Sequence, residues 1–101
     1  MNNANNAMNA PTSMKIREVT VLNQYGIHAR PASLFVKLAS RFDSDVFVEK
    51  GGTEINGKSI MGLMMLQASL GSTLRLKAQG PDADALLDAL QKLVASKFEE
   101  E

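Results

Sequence analysis

The 101-residue sequence predicts an α+β fold, a single sheet with helices packed on one side only. Three observations predict it. Each long strand-like segment alternates, so one of its faces is polar and belongs to solvent. Two segments carry apolar residues at helical spacing, each with one face to bury. The segments follow one another in the order β-α-β-β-α-β-α, whose layered solution is helices against a sheet.

The first strand runs from Ile16 to Leu22, where Val19-Thr20-Val21 alternates among β-formers. Asn23 to Gly26 forms a loop. A helix then runs from about Ala29 to Arg41, with Ala32, Phe35, Val36 and Ala39 in one stripe and Leu38 and Phe42 widening it. Asp43-Ser44 breaks it. Val46 and Val48 alternate with Phe47 and Glu49 in a second strand, and Gly51-Gly52 supplies a two-residue hairpin turn that needs positive φ. Thr53 to Ile55 returns as a short third strand, ending at Asn56-Gly57. A short helix covers Ser59 to Gln67, although Gly62 costs it about 1 kcal/mol relative to alanine. Thr73 to Gln79 alternates cleanly, with Leu74, Leu76 and Ala78 facing in and Arg75, Lys77 and Gln79 facing out. The last helix buries Ala83, Leu86, Leu87, Leu90, Leu93 and Val94, with Asp82 and Asp84 near its start and Lys92 and Lys97 toward its end to match the dipole.

Residues 1–13 are rich in Asn and Ala and carry no charged side chain. They are expected to form a disordered tail before a domain over 14–101. Met14 could equally be the residue that initiates the domain.

Composition narrows the chemistry. Hydrophobic residues make up 45% and charged residues 22%, ordinary values for a soluble domain. Eleven basic side chains balance eleven acidic ones, so charge gives no push toward nucleic acid or a membrane surface. There is no cysteine and one histidine, which removes disulfides, thiolate zinc sites and cysteine nucleophiles, and leaves little to hold a transition metal. No apolar run is long enough to cross a bilayer and no signal-peptide pattern opens the chain. No metal and no cofactor are expected, and a cytoplasmic location is.

The one histidine, His28, lies in Gly26-Ile27-His28-Ala29-Arg30-Pro31. Proline is tolerated in the first turn of a helix, where its missing N–H breaks no hydrogen bond. That places His28 at the helix mouth, where unpaired amides and the macrodipole favour an anion. Neutral imidazole is a nucleophile, and Arg30 can grip phosphate oxygens through its planar fork. The pair reads as a histidine that accepts and passes on a phosphoryl group. A lone histidine in a small domain is more often structural or surface decoration, and the histidine by itself does not decide between the two.

Ser59 follows Asn56-Gly57-Lys58 and opens the short helix. It reads either as an N-cap serine or as a phosphorylatable one, whose added charge would meet free amides. Ile60, Met61, Leu63, Met64, Met65 and Leu66 are more apolar than one face of so short a helix can bury. They form either loose core filling or an exposed docking patch. No Ser-His-Asp order, carboxylate pair or glycine-rich nucleotide loop accompanies them, so a self-contained enzyme fits poorly.

The stretch from Gly26 to Ala32, with Asn56-Gly57-Lys58-Ser59-Ile60-Met61-Gly62-Leu63-Met64 downstream, resembles the HPr family of histidine-containing phosphocarriers of the bacterial phosphotransferase system. The likeness spans about Lys15 to Glu99. It implies an open-faced sandwich of a four-stranded antiparallel sheet with three helices on one face. It implies that His28 is phosphorylated on Nδ1 by enzyme I, which draws on phosphoenolpyruvate, and passes the group to EIIA components of sugar permeases. Arg30 then matches the arginine that stabilises the phosphoryl group. Ser59 matches a regulatory serine phosphorylated by HPr kinase/phosphorylase, and Ile60, Met61 and Met64 match the partner-docking residues. The resemblance implies a protein acting as a monomer, without nucleic acid and without membrane insertion. It extends equally to the nitrogen-related branch, in which a regulatory paralogue works mainly by binding proteins. A small ligand-binding module of similar element order is the remaining rival.

Overall fold

A computed structural model describes residues 13–100. The expected tail over 1–13 therefore lies, but for Ser13, outside the described residues. Four strands and three α-helices follow in the expected order: β1 (Lys15–Thr20), α1 (Ala29–Ala39), β2 (Asp45–Lys50), β3 (Thr53–Asn56), α2 (Ile60–Met65), β4 (Thr73–Gln79) and α3 (Ala83–Ala95), with a short turn over Lys97–Glu99 after them. The strands form one sheet in the order β1-β4-β2-β3, and every neighbouring pair is antiparallel. With the three helices this is the open-faced sandwich that the sequence and its resemblance imply.

The alternation along each strand sorts the two faces. Leu74, Leu76 and Ala78 of β4 and Val46 and Val48 of β2 are buried toward the helices. There they meet Phe35 of α1 and Leu86, Leu87, Leu90 and Val94 of α3 in one core. The open face is a lattice of charge. Arg75 lies across from Glu18 on one side and Glu49 on the other, and Glu49 lies across from Glu54. Lys77 bonds Glu54 at 2.9 Å and Glu49 at 3.1 Å. These bonds hold the Glu49 carboxyl below its usual range and push the Lys77 ammonium above its own, so both stay ionised near neutrality.

The element ends differ from the sequence reading in instructive ways. β1 stops at Thr20, though Val21 still exchanges backbone bonds with Ser72 and Gly71. α1 stops at Ala39 and finishes in tightened turns, Arg41 N–H to Leu38 O and Phe42 N–H to Ala39 O. Val36, Leu38 and Phe42 are half-buried and pack against the core, and Pro31 joins the buried face beside them. α2 spans Ile60–Met65 rather than reaching Gln67, because Gln67 turns left-handed at φ 52° and ends the helix there.

α3 ends at Ala95, so Lys97 is not in its last turn but in the segment that follows. There Lys97, Phe98 and Glu99 all lie at positive φ, 59°, 55° and 60°, forming a single left-handed turn. Phe98 is completely buried. Asp82, expected to favour the α3 dipole, instead points its carboxylate at the loop before β2. It accepts from the Asp43 and Ser44 amides, each at 2.9 Å, and from the Ser44 hydroxyl.

Candidate functional site

The loop from β1 to α1 is shaped by its backbone. Gly26 lies at φ 68°, and a Cβ there would meet the Ala68 carbonyl oxygen at 2.4 Å, so only glycine fits without a shift. That same carbonyl accepts from the Ile27 N–H at 2.9 Å, pinning the loop to the segment after α2. Ile27 is buried beneath, and His28 emerges as the N-cap of α1 in an extended conformation.

His28 does not cap its helix. Its side chain makes no bond to the first-turn amides, although its carbonyl accepts from the Ala32 N–H at 3.0 Å. Pro31 stands in the first turn with no N–H to satisfy, and no acidic side chain occupies that turn. The mouth of α1 is thus an open, positive end. The ring Nε2 lies 3.0 Å from Glu100 Oε2, and Arg30 Nη1 lies 3.6 Å from the same oxygen. Tyr25, His28, Arg30, Glu99 and Glu100 line a shallow depression of about 380 Å³. His28 and Arg30 are well exposed there, with 44% and 58% of their side chains accessible, whereas Glu100 retains 16%.

Glu100 was not legible as part of this site. In the sequence it belongs to a terminal run of acids that reads as a solvated face. Asn23 was missed as well. It is fully buried, and its Nδ2 donates both to the Gly26 carbonyl at 2.7 Å and to Glu100 Oε1 at 3.1 Å. The one available signal was Phe98, an apolar residue four positions beyond Val94 that had to be buried somewhere near the end of α3.

Ser59 sits at the other end of the second motif. It is the N-cap of α2, and its Oγ accepts from the Gly62 N–H at 3.0 Å, which is the capping geometry. Gly62 has room for this because its missing Cβ would stand 3.2 Å from both Ser59 Oγ and Ile55 Cβ. The apolar run of α2 divides sharply. Leu63 and Leu66 are buried, while Ile60, Met61, Met64 and Met65 remain exposed, Met61 at 73% and Met65 at 71%. The exposed-patch alternative therefore describes four of the six residues and the core-filling one describes two. α1 and α2 pack against each other, so both motifs belong to one side of the molecule.

Among the described residues no group of three metal-binding side chains is assembled, and no helix is long and apolar enough to cross a membrane.

Comparison with known proteins decides the family. Residues 15–96 match the family model described as the PTS HPr component phosphorylation site. The chain belongs to the HPr family. The phosphocarrier protein HPr of Treponema pallidum is 49% identical over 88 residues, 87% of this chain and all of that one. The HPr-like protein Crh of Bacillus subtilis is 51% identical, over 83% of this chain and 95% of its own. The phosphocarrier protein NPr of Shewanella violacea is 43% identical over 83% and 92%. Among solved structures, HPr from Thermoanaerobacter tengcongensis superposes with a TM-score of 0.83 at 46% identity, covering 86% of this chain and 98% of that one. Bacillus subtilis Crh, described as a domain-swapped dimer, superposes at 0.68 with 48% identity over 80% and 93%.

Proposed function

We propose that this HPr-family chain carries a phosphoryl group on His28, taking it from enzyme I at the expense of phosphoenolpyruvate and delivering it to EIIA components of sugar permeases. The observation that carries this reading is the open mouth of α1, with an imidazole at the N-cap that makes no cap bond. Glu100 lies at hydrogen-bond distance from Nε2. A carboxylate can only accept, so in the neutral ring the proton resides on Nε2 and Nδ1 keeps its lone pair. Nδ1 then attacks phosphorus in line, the N–P bond to the donor histidine breaks, and the donor nitrogen keeps the electron pair. The Nε2 proton stays where it is. Onward transfer is the same step in reverse on a new acceptor.

Arg30 meets the incoming group with a forked cation that in the resting state lies near Glu100. The depression is shallow and open, as a carrier requires. Holding the phosphohistidine as firmly as the transition state would gain no rate. The exposed Ile60, Met61 and Met64 supply an adaptable apolar surface for several partners. Ser59, phosphorylated by HPr kinase/phosphorylase, would exchange its neutral cap for a charge at the start of α2. The protein acts in the cytoplasm as a single domain over 14–101 and as a monomer. Size-exclusion chromatography tests that last point, with elution as a dimer overturning it.

A second reading is favoured by one finding, that Crh is as similar to the chain as HPr is. In it the protein is a regulatory paralogue that works by binding partners and is switched at Ser59. The deciding experiment mixes the purified protein with enzyme I and phosphoenolpyruvate. The carrier reading expects acid-labile phosphate on the wild type and none on His28→Ala. Absence of label on the wild type, or its persistence on the variant, overturns it.

A further inference from the structure

Two departures from ordinary protein chemistry converge on one carboxylate. The first is the left-handed turn. Non-glycine residues visit this region singly, yet Lys97, Phe98 and Glu99 occupy it in succession. The second is Asn23, whose Oδ1 is buried with no hydrogen-bond partner among the described residues, although such groups are nearly always paired. Turning the amide over would bring no relief, because the oxygen would then face two acceptors, Gly26 O and Glu100 Oε1. Both features serve the placement of Glu100. The turn brings the chain back under Phe98, which is buried and anchors it, and closes through Glu99 N–H to Ser96 O and Glu100 N–H to Lys97 O, each at 3.0 Å. Asn23 Nδ2 then takes Oε1, leaving Oε2 for His28 Nε2 and Arg30. Strain that persists next to a reactive group, with neighbours holding it in place, points to a use there.

We propose that Asn23 is a positioning residue for phosphoryl transfer, clipping the Glu100 carboxylate in the one orientation that fixes the His28 proton on Nε2 and keeps Nδ1 free. The bonds of Asn23 run to the Gly26 carbonyl and to Glu100 rather than to the His28 ring. Asn23 acts through Glu100, and a second donor contact to the Gly26 carbonyl ties the carboxylate to the loop that carries His28. The use made of Nδ1 rests on the carrier reading above, whereas the placement itself does not.

The test reads the imidazole directly. The ¹⁵N shifts of His28 in the unphosphorylated protein, at a pH where the ring is neutral, report which nitrogen bears the proton. In the wild type the Nε2–H form dominates. Losing a hydrogen bond of ordinary net strength changes the tautomer ratio about fivefold, and Asn23→Ala is expected to lower it by that factor, as Glu100→Ala does. The double variant should go no further than Glu100→Ala alone, because the two act in series. Shifts that move in Glu100→Ala but not in Asn23→Ala overturn the proposal, as do shifts that move in neither. If Asn23→Ala fails to fold, Asn23→Ser carries the same expectation, since one O–H cannot serve both acceptors. Failure of enzyme I to phosphorylate the wild type, with the shifts behaving as stated, would overturn the carrier reading and leave the positioning role standing.

Discussion

The helices α1 and α2 begin in opposite ways, and the contrast supports the proposed site. At α2 the first turn is closed from within, Ser59 Oγ accepting from Gly62 N–H. At α1 the N-cap is a histidine that makes no cap bond, with a proline in the first turn and no acid to meet the dipole. The N-cap preference for Ser, Thr, Asp and Asn exists because orphan amides cost stability. A helix that leaves its mouth open gives up about 1 kcal/mol that a serine would recover. Ser59 shows that the chain has this solution available and applies it elsewhere. On the proposed carrier reading, the open end is where the phosphoryl anion arrives, and the closed end is where one could be installed only by replacing the cap.

The largest break of this contrast is His28→Ala. Phosphate incorporation from enzyme I should fall to background while thermal stability changes little, since the side chain is exposed and caps nothing. Retained folding with lost labelling, measured side by side, separates a reactive histidine from a structural one. Next comes Arg30→Ala. Removing one charged donor from a transferring oxyanion costs about a hundredfold in rate, read by rapid-quench transfer. A rate within a fewfold of wild type would remove Arg30 from the mechanism.

Ser59→Ala attacks the other helix start and should give the reverse pattern. Loss of the N-cap bond destabilises by about 1 kcal/mol, visible in urea unfolding. Phosphoryl acceptance at His28 should stay close to wild type. A variant that folds as stably as wild type would show that the Ser59–Gly62 bond contributes nothing in solution.

How much of this could be read from the sequence follows from where the determining forces act. The strand β4 and the buried face of α3 were legible to the residue, because alternation and helical spacing are local patterns that burial enforces. The placement of His28 and Arg30 at a helix start was legible because Gly26 and Pro31 frame that start within six positions. Whether Met61 and Met65 face solvent was not, since periodicity cannot say which side of a short apolar helix is covered, and Leu63 and Leu66 settle it only through contacts with distant elements. Glu100 and Asn23 were invisible for the same reason at longer range. Seventy-seven positions separate them in sequence, and their meeting depends on a left-handed turn that no propensity favours at Lys97-Phe98-Glu99.

The third helix start sharpens the comparison with the smallest effect. Asp82 is the N-cap of α3 but makes no cap bond there, since its carboxylate serves the Asp43 and Ser44 amides and the Ser44 hydroxyl. The Ser44 hydroxyl first, then the Asp43 amide, hold its carboxyl below the usual aspartate range. A carboxyl lowered in the folded state adds stability above the unfolded value, about pH 4. That stability is lost as pH falls through the lower folded value. Asp82→Asn should therefore melt below wild type at neutral pH, with the gap closing as both are titrated below pH 4. Scanning calorimetry across that range checks it. A gap that stays constant with pH would mean that the loop is held by shape and neutral hydrogen bonds, and that Asp82, unlike the mouth of α1, owes nothing to its charge.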